Sequence, residues 1–107
     1  MKTYSGFRTA GGCAVTVSDG TGKRALDPRF DLRRHSPTGF EWGYGGSGPA
    51  QLALALAADV LRDDKVALDL YQRLKFRVVG RLPADCWTLS EAELADALRD
   101  LARPEGE

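Results

Sequence analysis

Apolar residues recur with two different periods along this chain, and the period changes near a glycine-rich stretch at residues 43–48. Before it, alternation of period two dominates. Residues 3–8 (TYSGFR) and 13–18 (CAVTVS) flank the turn Thr9-Ala10-Gly11-Gly12, and in the second run Cys13, Val15 and Val17 share one face while Ala14, Thr16 and Ser18 share the other. That alternation fits strands with one face buried. Asp19-Gly20-Thr21-Gly22 is a hairpin signal, and Lys23 to Leu26 then reads as a third strand. Asp27-Pro28 closes it, because proline has no amide to give a ladder. Residues 29–38 show no clean period and read as a loop or short strand; Phe40-Glu41-Trp42 reads as a last strand running into the glycines.

After the glycines the spacing becomes helical. Ser47 is expected as an N-cap with Pro49 in the first turn, followed by an apolar stripe of Leu52, Leu56 and Val60 with Ala53 and Ala57, facing the sheet. Asp63 or Asp64 caps a second helix that turns Ala67, Leu70, Tyr71, Leu74 and Val78 to one side. Its acids lie at the start and Lys75, Arg77 and Arg81 near the end, complementing the helix dipole, and Gly80 and Pro83 stop it. Ser90 and Glu93 have capping-box spacing, and Leu89 and Leu94 occupy the two positions of a hydrophobic staple. Leu94, Leu98 and Leu101 form a narrow stripe on this third helix, and residues 103–107 read as a frayed tail. The fold class expected is α+β in a single domain spanning 1–107: a small antiparallel sheet of three to four strands packed against three helices.

Composition adds limits. At 43% hydrophobic and 28% charged, the 107 residues are those of an ordinary globular domain large enough for one core. Formal net charge is zero, so direct nucleic-acid binding is not expected. The charge is uneven, with seven Lys/Arg against four Asp/Glu in residues 1–49 and eight against eleven thereafter. The opening MKTYSGFRTAGG has no apolar core of a secretory signal, and the run around Leu52 to Leu61, interrupted by Asp59, is too short to span a bilayer. No membrane association is expected. Cys13 and Cys86 are far apart, without metal spacing, and read as buried free thiols. With His35 the single histidine, no histidine cluster for a metal can form.

Residues 43–48, GYGGSG, satisfy the G-x-G-x-x-G pattern that cradles a dinucleotide pyrophosphate. That chemistry also needs a second parallel strand after the helix, with an acid at its end for the ribose. Here a helix is followed by another helix, and no Lys-Ser/Thr follows the last glycine for a Walker-type loop. A dinucleotide site is therefore rejected. Three uses of the loop stay open: a purely structural turn, a protein contact, or an anion site. For the last, the amides of Gly45, Gly46 and Ser47 at a helix start could hold a phosphate, with Arg33, Arg34 and His35 adding charge if the chain folds back. Glu41 is the carboxylate of interest. It points out near the loop if Phe40 and Trp42 pack inward, and pairs with Arg33 or Arg34 if it is buried. Trp42 and Tyr44 would share a face of an extended segment beside the loop, as aromatic contact residues do. No catalytic constellation emerges and no cofactor is expected.

Residues 35–61, HSPTGFEWGYGGSGPAQLALALAADVL, resemble a set of small proteins of unknown function carried by bacterial phages, plasmids and other mobile elements, in which a W-G-Y-G-G-S-G-P-A motif precedes an alanine-rich helix. LYQRLKFRVVGRLP (70–83) and WTLS (87–90) extend the similarity over most of the chain. The resemblance brings no activity. It implies a bacterial cytoplasm and an accessory gene, with antagonism of host defence as one role open to such a protein. The expectation is a non-enzymatic protein, monomer or homodimer, that binds a host protein or complex. The alternative is a binder of a phosphorylated compound or cyclic nucleotide through the glycine loop.

Overall fold

The computed structural model describes residues 1–103; of the tail expected at 103–107, residues 104–107 lie outside the described residues. Strands β1 (Thr3–Thr9), β2 (Gly12–Ser18) and β3 (Lys23–Ala25) come first, then helices α1 (Ser47–Leu61) and α2 (Asp64–Arg77), a 3-10 turn at Val79–Arg81, strand β4 (Cys86–Ser90) and helix α3 (Glu91–Leu101). The α+β class is as expected: a four-stranded antiparallel sheet in the order β3-β2-β1-β4, with three helices.

The fourth strand is not where the pattern placed it. Phe40-Glu41-Trp42 forms no strand; Cys86–Ser90 pairs with β1 instead, matching Tyr4 with Leu89 and Gly6 with Trp87. The reason is steric. A Cβ on Gly6 would fall within the indole of Trp87, so the missing side chain on β1 makes the space that admits this ring. Such a long-range fit leaves no periodic trace over five residues.

Local signals were otherwise reliable. Asp19 Oδ1 accepts from the amides of Thr21 and Gly22 at 3.0 and 3.1 Å, which closes the β2–β3 turn. Asp63, not Asp64, caps α2 by accepting from the Val66 amide at 3.2 Å. The capping box of α3 is complete, with Ser90 Oγ accepting from the Glu93 amide at 3.0 Å and the Glu93 carboxylate accepting from the Ser90 amide at 2.9 Å.

α1 departs from expectation in two ways. Its N-cap is Gly46, and Ser47 is the first helical residue, with no side-chain cap bond. It also has no solvent face over most of its length: Gly48 to Ala58 are all buried, Leu52, Leu54 and Leu56 completely. Alternating leucine and alanine in residues 52–58 suits a helix enclosed all round, since alanine admits neighbouring backbone closely and leucine fills the gaps between. The core formed around α1 includes Tyr4, Val15, Val17, Trp42, Leu70, Tyr71, Leu74, Trp87, Leu94 and Leu98.

Candidate functional site

The N-terminal end of α1 is built by contacts from three directions. Gly43 has φ +89°, a left-handed conformation open to glycine, and donates its amide to the Val79 carbonyl at 3.0 Å. That turn breaks the extended run in which Trp42 and Tyr44 would have shared a face. Trp42 goes inward at 1% exposure and Tyr44 outward at 51%. Trp42 donates through Nε1 to the Ala84 carbonyl at 3.1 Å and meets Trp87 edge to face at 5.5 Å. It is a core anchor, not a contact residue.

Glu41 lies against the helix start, where a Cβ on Gly48 would come 2.6 Å from its own Cβ. Its partner is Arg8, not Arg33 or Arg34. Arg8 Nη1 donates to both carboxylate oxygens at 3.1 and 3.2 Å, and its guanidinium stacks 4.8 Å from the Trp42 ring. Arg8 reaches this place because it sits at the end of β1, paired with Cys13 on β2. Burial pushes the Glu41 carboxyl up, but hydrogen bonds from Cys13 and Arg8 outweigh it and hold the group below its ordinary range. Burial, then Glu41, pushes the Cys13 thiol up, which leaves it protonated at neutral pH and a poor nucleophile. Cys13 is half-buried and Cys86 exposed, a correction to the expectation of two buried thiols. They lie on strands flanking β1, one opposite Arg8 and the other opposite Phe7. Two strand spacings make about 10 Å, beyond disulfide reach.

The expected cationic wall does not assemble. Arg33 donates to the Leu32 carbonyl at 3.3 Å, Arg34 lies 5.6 Å over the Phe30 ring, and neither bonds to the glycine loop. His35 Nε2 is 2.6 Å from the Tyr71 hydroxyl, with its ring tilted against that ring. What holds these residues back is Gln51, fully buried on α1. Its Oε1 accepts from the amides of His35 and Ser36 at 2.7 and 3.2 Å, and its Nε2 donates to the carbonyls of Pro28 and Arg33 at 2.6 and 3.0 Å.

The loop itself is open. Tyr44, Gly45 and Ser47 are exposed, and no described group accepts from the amides of Gly45, Gly46, Ser47 or Gly48. Beside it stands a residue that the sequence pattern did not single out. Phe76 on α2 is 65% exposed, the next most exposed large apolar side chain after Met1, and a Cβ on Gly45 would lie 3.4 Å from its ring. Lys75 Nζ sits 4.4 Å over the same ring. Phe76 lies two positions beyond the buried stripe that ends at Leu74, so an aromatic on the polar side of an amphipathic helix was the available signal. The surface thus presents Tyr44 and Phe76 flanking Gly45 and Gly46, with a cation at its margin.

No described helix is long and apolar enough to cross a membrane. No curated protein and no solved structure matches the chain. A family model does, over residues 4–100, which takes in the sheet, the glycine loop and nearly all of the three helices. The chain therefore belongs to the family of unknown function DUF6166.

Proposed function

We propose that this protein is a non-enzymatic binding protein of a bacterial mobile element, acting stoichiometrically in the cytoplasm on a host protein complex, as an antagonist of host defence. The observation that supports it is the exposed pair Tyr44 and Phe76, at 51% and 65% exposure, flanking a glycine loop in which the amides of Gly45 to Gly48 have no partner among the described residues. Aromatic side chains dominate the energetics of protein contacts, and apolar side chains grouped at one exposed place, rather than scattered singly, mark a contact site. The loop amides supply hydrogen-bond donors at the centre of the same patch. The mobile-element setting rests on the resemblance of residues 35–61, and the role against defence follows from that setting.

The test is capture from bacterial host lysate with wild type and with the double variant Tyr44→Ala, Phe76→Ser. Wild type should retain a stoichiometric partner that the variant releases, while both keep the same melting temperature. Equal retention by the two would refute the patch.

The same amides support a second reading, a phosphorylated compound or cyclic nucleotide held at the start of α1. It is the weaker one, since Arg33, Arg34 and His35 are engaged elsewhere. A cyclic nucleotide at a hundredfold excess over its Kd would raise stability by about 2.7 kcal/mol in a thermal-shift measurement. No shift across a nucleotide panel removes this reading.

A further inference from the structure

At the other end of α1 lies a cavity of about 530 Å³ whose lining is almost wholly charged. Lys2, Arg24, Arg29 and Arg62 line it together with Asp27, Asp59 and Asp64, and its apolar lining is Ala55 and Ala58 alone. Such a volume falls within the range of small-molecule sites. The fifteen residues of α1 put this cavity about 20 Å from the glycine loop.

Donors and acceptors around the cavity are unequally matched. Both oxygens of Asp59 are taken: Oδ2 by the Tyr4 hydroxyl at 2.6 Å and Lys2 Nζ at 3.0 Å, Oδ1 by Arg24 Nη2 at 2.8 Å. Arg29 divides its Nε and Nη2 between Asp31 and Asp64, at 2.9 to 3.1 Å. Arg24 and Arg29 each keep Nη1 free, Lys2 keeps one ammonium hydrogen, and the Arg62 guanidinium bonds to no described residue. Donors therefore exceed acceptors around the cavity, the condition for taking up an anion.

Backbone geometry singles out the same place. Among the described residues, two non-glycines have positive φ, Arg29 at 58° and Arg62 at 55°, and both line this cavity. Glycine adopts that conformation freely and a side-chain-bearing residue does not. For Arg29 the ion pairs to Asp31 and Asp64 explain the side chain. Arg62 is the left-handed residue that ends α1, its amide donating to the Ala58 carbonyl at 3.0 Å, and its guanidinium, which that cap does not use, is available to a ligand.

We propose that this cavity binds a small phosphorylated polyol of the sugar-phosphate class. Arg62, Arg24 and Lys2 hold the phosphoryl group. Asp27, whose Oδ1 accepts only the Arg29 amide at 2.9 Å, takes the hydroxyls. No aromatic ring lines the cavity to stack a nucleobase, so the body of the ligand is hydroxylated rather than flat and apolar.

Calorimetric titration of the purified full chain with glucose 6-phosphate, glucose and inorganic phosphate tests this. Wild type should bind the sugar phosphate at least about tenfold more tightly than either of the others. Arg62→Gly relieves the left-handed strain, so its melting temperature should equal or exceed that of wild type, while affinity for glucose 6-phosphate falls about tenfold or more. Gly45→Asp, which sets a carboxylate beside the loop amides, should leave that affinity unchanged. Undiminished binding by Arg62→Gly overturns the proposal and makes Arg62 a dipole cap at the end of α1. So does loss of binding in Gly45→Asp, equal affinity for glucose, or no binding by wild type at millimolar ligand.

Discussion

Gln51 enters α1 one turn beyond the glycine loop, and its primary amide is closed to solvent with two donors and two acceptor positions all used. Gln51→Leu removes every bond at once and strands two backbone amides and two carbonyls of residues 28–36 in a buried place. We expect a loss of about 2–4 kcal/mol in urea unfolding, larger than for any exposed polar residue of the chain. Asp59 makes a prediction of different kind. Burial pushes its carboxyl up, yet hydrogen bonds from Tyr4, Arg24 and Lys2 outweigh this and bring it below the ordinary range. A depressed folded pKa means stability that is present above the unfolded value, about 3.9, and lost as pH falls through the folded value. The stability gap between wild type and Asp59→Asn, measured by denaturant titration, should therefore be full at neutral pH and shrink on acidification below about pH 4. A gap independent of pH would mean that ionised Asp59 contributes nothing. Neither role could be read from the sequence. A glutamine and an aspartate in a helical run look like surface residues until the segments 28–36 and 2–4 arrive beside them.

Elements whose signals are short-range emerged from the sequence nearly intact. The capping box at Ser90–Glu93, the Asp19 turn and the buried stripe Ala67, Leu70, Tyr71, Leu74 each depend on residues within a turn or two of one another. β4 depends on β1, which pairs Gly6 with Trp87 from the far end of the chain, and so no local pattern predicts a strand at Cys86–Ser90. Gly6→Ala tests that dependence. The new methyl collides with the Trp87 ring, and we expect about 1–3 kcal/mol of destabilisation. Loss of near-ultraviolet tryptophan signal ahead of helical signal would localise the damage to the β1–β4 pair. Leu54→Ala on the enclosed helix should cost about 2–5 kcal/mol, because α1 is walled on every side and its neighbours cannot close the void.

The molecule as a whole separates its two open surfaces along one rigid helix, the aromatic loop at the start of α1 and the charged cavity at its end. Sites about 20 Å apart without shared partners should behave independently. The double variant Tyr44→Ala, Arg62→Gly should therefore show the sum of the two single stability changes within about 0.5 kcal/mol, measured by chemical denaturation. A larger deviation would reveal coupling through α1. By itself the sequence determined the α+β class, the three helices, three of the four strands and most helix ends, since periodicity and capping act between near neighbours. It also drew attention to the glycine loop and Tyr44. Tertiary structure decided which arginine neutralises Glu41, where His35 comes to rest, that Trp42 turns inward, and that Phe76 stands beside Gly45. It decided too that four cations and three carboxylates share one cavity. Each of these is a meeting of segments distant in sequence, set by which buried side chains fit together, and no local pattern encodes such a fit.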